Sequence, residues 1–171
     1  FTDYSGQTII PGLIDAHVHF PQYAIMGKGG GELLEWLRDY TYPEETRFSS
    51  AEYASAIAEK FFSELLANGT TAAAIYSSVH ETATDIAFAT AERKGLRAFI
   101  GKVMMDRNSP PALQEDTDAS LAASLRLFEK WDGAAAGRLR YVFTPRFAGS
   151  CSMGLLRRTG KAARDRNAFV Q

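Results

Sequence analysis

Short apolar runs alternate with helix-spaced apolar stripes along this chain. Gln7 to Ile10 is predicted as a short strand, halted by Pro11 and Gly12. Leu13 to His17 reads as a buried strand, and a polar, glycine-rich loop follows at Gly27 to Gly31. Leu33 to Tyr40 reads as a short helix carrying Leu34, Trp36 and Leu37. The best-signalled helix opens with Ser49 and Glu52, the two partners of a capping box. Tyr53, Ile57, Phe61 and Leu65 then recur at helical spacing, with Ala54, Ala58, Phe62 and Leu66 beside them. Together they make one apolar face, which Asn68 and Gly69 bring to a stop.

Further along, Thr70 to Tyr76 is predicted as a strand and Glu81 to Lys94 as a helix ended by Gly95. Leu96 to Val103 reads as a strand, and Thr117 to Trp131 as a helix with Leu121, Leu125 and Phe128 on one side. Leu139 to Phe143 is a strand, Met153 to Arg164 a helix, and Ala168 to Val170 the opening of a fifth strand. Strands joined through helices run parallel and are covered on both faces. The fold class is therefore α/β, as an open doubly wound sheet or a (β/α)8 barrel. A dinucleotide-binding sheet needs a glycine-rich phosphate turn after the first strand. The chain has Asp15-Ala16-His17-Val18-His19 there instead, which favours the barrel. GKGGG at Gly27 to Gly31 lacks the spacing of a phosphate loop and reads as a flexible loop.

Composition narrows the function classes. The net charge of -1 gives no basic excess for a nucleic-acid backbone. The basic residues near the end, Arg157 to Arg166, read as a solvated helix face. Cys151 is the single cysteine, so no internal disulfide forms, and a reducing, cytoplasmic location is expected. No apolar run is long enough to span a membrane. The first residues do not form a signal peptide. The chain starts at Phe1 and not at Met, so its natural start is expected to be missing.

The chemistry concentrates in Pro11-Gly12-Leu13-Ile14-Asp15-Ala16-His17-Val18-His19. Residues two apart on a strand share a face, so His17 and His19 present two imidazoles together. Neutral imidazole suits a divalent ion such as zinc, and the end of a barrel strand opens into the mouth where active sites sit. His80, the third histidine, is read as a surface or helix-capping residue. Asp15 is expected to face away from His17 and to play a structural part in the turn. Cys151 is assigned no catalytic part.

At this point the chain resembles the amidohydrolase superfamily, whose opening signature is PG, a hydrophobic residue, then IDxHxH. HVHFPQY (17–23), ELLEWLRDYTYPEETRF (32–48), NGTTAAAIYSSVH (68–80), GKVMMDRN (101–108) and TPRFAGSCS (144–152) resemble its guanine deaminase branch. The resemblance implies a TIM-type (β/α)8 barrel, of which residues 11–171 would be the amino-terminal half. Residues 1–10 would be the remnant of a small β-domain. It implies hydrolytic deamination of guanine to xanthine, with one zinc held partly by His17 and His19. The substrate-binding segment would be His19, Phe20, Pro21 and Gln22, with Gln22 bonding the purine. Arg146 would contact the substrate carbonyl and Phe147 would lie against the ring.

The same resemblance places the remaining ligands, and the acid–base Glu and Asp, beyond residue 171. The isolated chain is therefore expected to be inactive, to bind zinc weakly and to associate. The whole protein is expected to act on a small molecule as a homodimer, without nucleic acid or membrane. Two rival readings remain: a sibling hydrolase acting on a cytosine, triazine or adenosine-type ring, and a non-catalytic assembly module.

Overall fold

The computed structural model describes residues 2–171. Its sheet is parallel throughout, and strand order follows chain order once the two pieces of an interrupted third strand (Arg97–Gly101 and Val103–Met104) are counted as one. Strand β1 (Leu13–His19) pairs with β2 (Thr70–Tyr76), and β2 pairs with β3 (Arg97–Gly101). β3 and a short β4 (Val103–Met104) both pair with β5 (Leu139–Pro145), which pairs with β6 (Phe169–Val170). No reversal of order occurs, so the sheet is the arc of a barrel and not a doubly wound sheet.

The expected Leu96–Val103 strand is two pieces, split at Lys102. The Lys102 side chain is 1% exposed and pairs with Glu115 at 2.5 Å. Its ammonium also donates to the Val103 carbonyl at 3.1 Å and to Ser120 at 3.3 Å. Burial pushes this ammonium's pKa down, while Glu115 pulls it back up. At Gly101 the β3 backbone passes so close to β5 that a Cβ would overlap Thr144.

Helices connect the strands. α1 (Leu33–Trp36) runs through a π-helical turn (Leu37–Thr41) into α2 (Tyr42–Thr46). The helical segment is thus longer than the sequence predicts. α3 (Ala51–Ala67) follows, then α4 (Glu81–Lys94), α5 (Thr117–Trp131) and α6 (Met153–Asp165). The α3 cap is Ser50, not Ser49: the Ser50 hydroxyl accepts from the Tyr53 N–H at 3.2 Å. Ser49 is already committed to a 3-10 turn (Arg47–Ser49), so the box with Glu52 does not form. Gly95 ends α4 in the left-handed conformation at φ 79°, and Leu96 N–H returns to the Ala91 carbonyl at 3.1 Å. Ile57, Phe61 and Phe62 of α3 pack with Ile75, Ile100, Tyr141 and Phe143 of the strands in one core.

Two strand expectations are corrected. Gln7 to Ile10 forms no strand, because its backbone has no ladder partner among the described residues. β1 is not buried: it lies at the edge of the arc, with Ile14 76% exposed. Phe1, which the resemblance assigns to the remnant of a small β-domain, lies outside the described residues.

Candidate active site

The site begins with an irregularity in β1. Asp15 pairs with Ala73 and Val18 with Ile75, so β1 spends three steps where β2 spends two. One extra residue in a strand is a bulge, and it reverses which side the later side chains face. Regular alternation would put Asp15 on the side of His17. The bulge turns it instead toward Phe61, Glu64 and Leu65 of α3. There its carboxylate accepts the His17 N–H at 3.1 Å and braces the bulge. Asp15 does face away from His17, but through the bulge and not through pleating.

Past the bulge, His17 and His19 turn into one cavity of about 270 Å³ at the carboxyl ends of the strands. Their Nε2 atoms stand 3.2 Å apart. Tyr76, at the end of β2, lies against both rings, stacked on His19 at 4.6 Å and tilted on His17 at 4.7 Å. Burial raises the Tyr76 phenol above its usual range. Burial first, then Arg146 and His17, pushes His19 down to about 4, so its ring is neutral near pH 7. The His19 Nδ1 is buried without a partner.

This donor pair fits a divalent ion. Two nitrogens held by one tetrahedral zinc at about 2.0–2.1 Å stand roughly 3.3 Å apart, close to the spacing found. Neutral imidazole is the form that ligates. Two donors alone do not close a site, and no group of three His, Cys, Asp or Glu converges among the described residues.

Gln22 and Arg146 line the same cavity from different elements, Gln22 from the 3-10 turn (Phe20–Ile25) and Arg146 from just after β5. A buried carboxylate joins them. Glu45 of α2 is 1% exposed and accepts from Gln22 Nε2 at 3.3 Å and from the Arg146 guanidinium. The Arg146 side chain is itself 5% exposed and lies over the Tyr42 ring. Phe147 is partly exposed at the cavity rim, and Trp36 and Leu37 form part of its wall.

Two sequence-based candidates are placed elsewhere. Phe20 is 0% exposed and packs on Phe48, Phe61 and Phe62 in the core, because its side chain turns outward from the strand end. Pro21 is buried in the first turn of the 3-10 helix, where its missing N–H costs nothing. Neither lines the cavity. Their part is to fix the turn that carries Gln22. His80 is half-buried at the start of α4, without a side-chain cap, and so is not a surface residue. Cys151 is buried, its thiol raised by burial and donating to the Met104 carbonyl at 3.2 Å.

Glu45 and Tyr76 had no place among the sequence candidates. The signal for Glu45 was present: adjacent acidic residues in an otherwise half-apolar helix. Its partner lies 101 residues away, so no local pattern reveals the pairing.

The Amidohydrolase family model matches residues 8–171. A guanine deaminase of Escherichia coli is 43% identical over 150 residues, 88% of this chain and 34% of that protein. A crystal structure of guanine deaminase from C. acetobutylicum, with guanine bound in its active site, superposes with a TM-score of 0.92 at 36% identity. That superposition covers 95% of this chain and 39% of the other. A triazine hydrolase shares the fold at a TM-score of 0.83 and 18% identity. The chain spans about a third of the length of the curated guanine deaminases it matches. With the family model covering all but its first few residues, the chain belongs to the amidohydrolase family.

Proposed function

We propose that the whole protein containing this chain is a guanine deaminase, converting guanine and water to xanthine and ammonia. One observation carries the reading. The two imidazole nitrogens 3.2 Å apart share a cavity with Gln22 and Arg146, in a chain 43% identical to a guanine deaminase. His17 and His19 would hold zinc, together with ligands from the rest of the barrel. The ion would supply a water of lowered pKa as the nucleophile for the amine-bearing carbon.

The chain's own residues do the binding and orienting. Gln22 hydrogen-bonds the ring edge through its side-chain amide. Arg146 holds a carbonyl oxygen with charge-assisted hydrogen bonds, which strengthen as negative charge gathers there during attack. Phe147 gives a flat apolar surface at the rim, suited to a planar ring. The groups that move protons to the leaving ammonia would lie outside these residues. The 171-residue chain alone is therefore expected to be inactive, with weak zinc binding.

The test is metal analysis and guanine turnover on the complete polypeptide, with His17→Ala and His19→Ala beside it. Each substitution should remove most of the bound metal and most xanthine production. Unchanged metal content and unchanged xanthine production in the double variant would end this reading.

A further inference from the structure

Glu45 is a carboxylate withdrawn from water, yet it bonds no structural backbone group in the described residues. Its two oxygens go to Gln22 and Arg146, polar side chains that reach the cavity from distant parts of the chain. A carboxylate only accepts hydrogen bonds. The Gln22 amide therefore has to offer its NH2 to Glu45, and its carbonyl oxygen is left for the cavity. Without Glu45 the amide could present either end, because the two orientations have the same shape. Arg146 has donors only, and the one bound to Glu45 fixes the plane of the rest.

We propose that Glu45 is a positioning residue that sets the polarity of the site: an acceptor from Gln22 beside a donor from Arg146. The ring edge that complements this pair is a nitrogen bearing hydrogen followed by a carbonyl. Guanine and isocytosine carry that edge next to the amine-bearing carbon. Adenine and cytosine carry a bare ring nitrogen there, which would meet the Gln22 carbonyl oxygen lone pair to lone pair. A site whose polar groups are matched to one edge rejects the mismatched edge strongly, because buried groups are then left unpaired. The inference rests on the deaminase reading above and adds to it the group that selects the ring.

The experiment uses the complete polypeptide and its Glu45→Gln and Glu45→Asp variants, assayed on guanine, isocytosine, adenine and cytosine. Thermal unfolding checks that each variant is folded. Gln at 45 can offer an NH2 of its own, which frees the Gln22 amide to turn over. In that variant KM for guanine should rise roughly tenfold or more, kcat should change less, and the preference for guanine over adenine should fall roughly tenfold. Asp at 45 still only accepts, so it should keep the preference while its shorter reach raises KM. A merely structural Glu45 would lower activity on every ring alike and leave the preference untouched.

An unchanged KM and preference in a folded Glu45→Gln variant overturns the inference while the guanine reading stands. Should that variant not fold, Glu45→Ala decides, since it too releases the Gln22 NH2: a fall in the preference for guanine over adenine supports the inference, and a kept preference overturns it, as does a lost preference in the Asp variant. An unsubstituted protein that prefers isocytosine to guanine ends the guanine reading and leaves the Glu45 inference intact. One that prefers adenine or cytosine, or turns over none of the four, ends both.

Discussion

Tyr76 stacks on one imidazole of the candidate metal pair and tilts against the other. Its contribution is to hold the two rings in the orientation that converges their nitrogens. Groups that orient metal ligands are commonly worth a tenfold or greater change in metal affinity. Tyr76→Phe keeps the ring face and should leave metal affinity near that of the unsubstituted protein. Tyr76→Ala removes it and should weaken affinity roughly tenfold. Competition with a chelator in the complete polypeptide measures both; an Ala variant that holds metal as tightly as the Phe variant removes Tyr76 from the site. At this scale the sequence was informative where the signal was local. His17 and His19 are two residues apart, and that spacing alone put both rings on one face. Phe20 lies in the core and not along the cavity, and no local spacing reports which way a side chain turns at a strand end. Tyr76 was invisible because its contact with β1 is made across the sheet.

The elements were legible as periods and stops, and less so as joints. The apolar stripe of α3 is found as predicted, but its cap moved by one residue, because a preceding 3-10 turn had already claimed Ser49. Ser50→Ala should therefore cost about 1 kcal/mol, and Ser49→Ala close to nothing, in urea unfolding. Equal costs would mean that the cap is shared. A second joint lies at Asp106, which no sequence pattern marked. Its carboxylate accepts from Thr117 Oγ1 at 2.7 Å, and from Ser152 N–H and Oγ at 2.6 Å each. It thus ties the loop after β4 to the starts of α5 and α6. Burial would raise its pKa, but the hydrogen bonds from Ser152 and Thr117 outweigh burial and hold it below the usual carboxylate range. A carboxyl lowered in the folded state adds stability that is complete above its unfolded pKa of about 4, and lost as pH falls below that. The stability gap between the unsubstituted chain and Asp106→Asn should thus be wide at pH 6 and narrow at pH 3. Urea midpoints at the two values decide it, and a gap that does not narrow would remove Asp106 as an acid-sensitive joint.

At the scale of the whole molecule, the alternation of strands and helices was enough to give a parallel sheet, and not enough to close it. Barrel and open sheet differ in which strands are neighbours, and neighbour choice is made by contacts far apart in sequence. The missing phosphate turn after β1 argued for the barrel by elimination, and the sequential strand order supplies the positive reason. That order leaves β1 paired only with β2, and β6 paired only with β5, among the described residues. Both edges are apolar: Ile9, Ile10, Leu13 and Ile14 lie exposed near one, and Phe169 and Val170 at the other. An edge of unpaired N–H and C=O groups flanked by exposed apolar side chains is a template for another chain. The isolated 171-residue polypeptide is therefore expected to self-associate as its concentration rises into the micromolar range. A lysine on an edge blunts such pairing by forcing a charge into the contact. Ile14→Lys combined with Val170→Lys should shift the sedimentation profile toward monomer without changing the circular dichroism spectrum. A chain that already sediments as a monomer at those concentrations would mean that its edges are protected by something other than pairing. Association unaffected by both lysines would mean that the contact lies elsewhere on the surface.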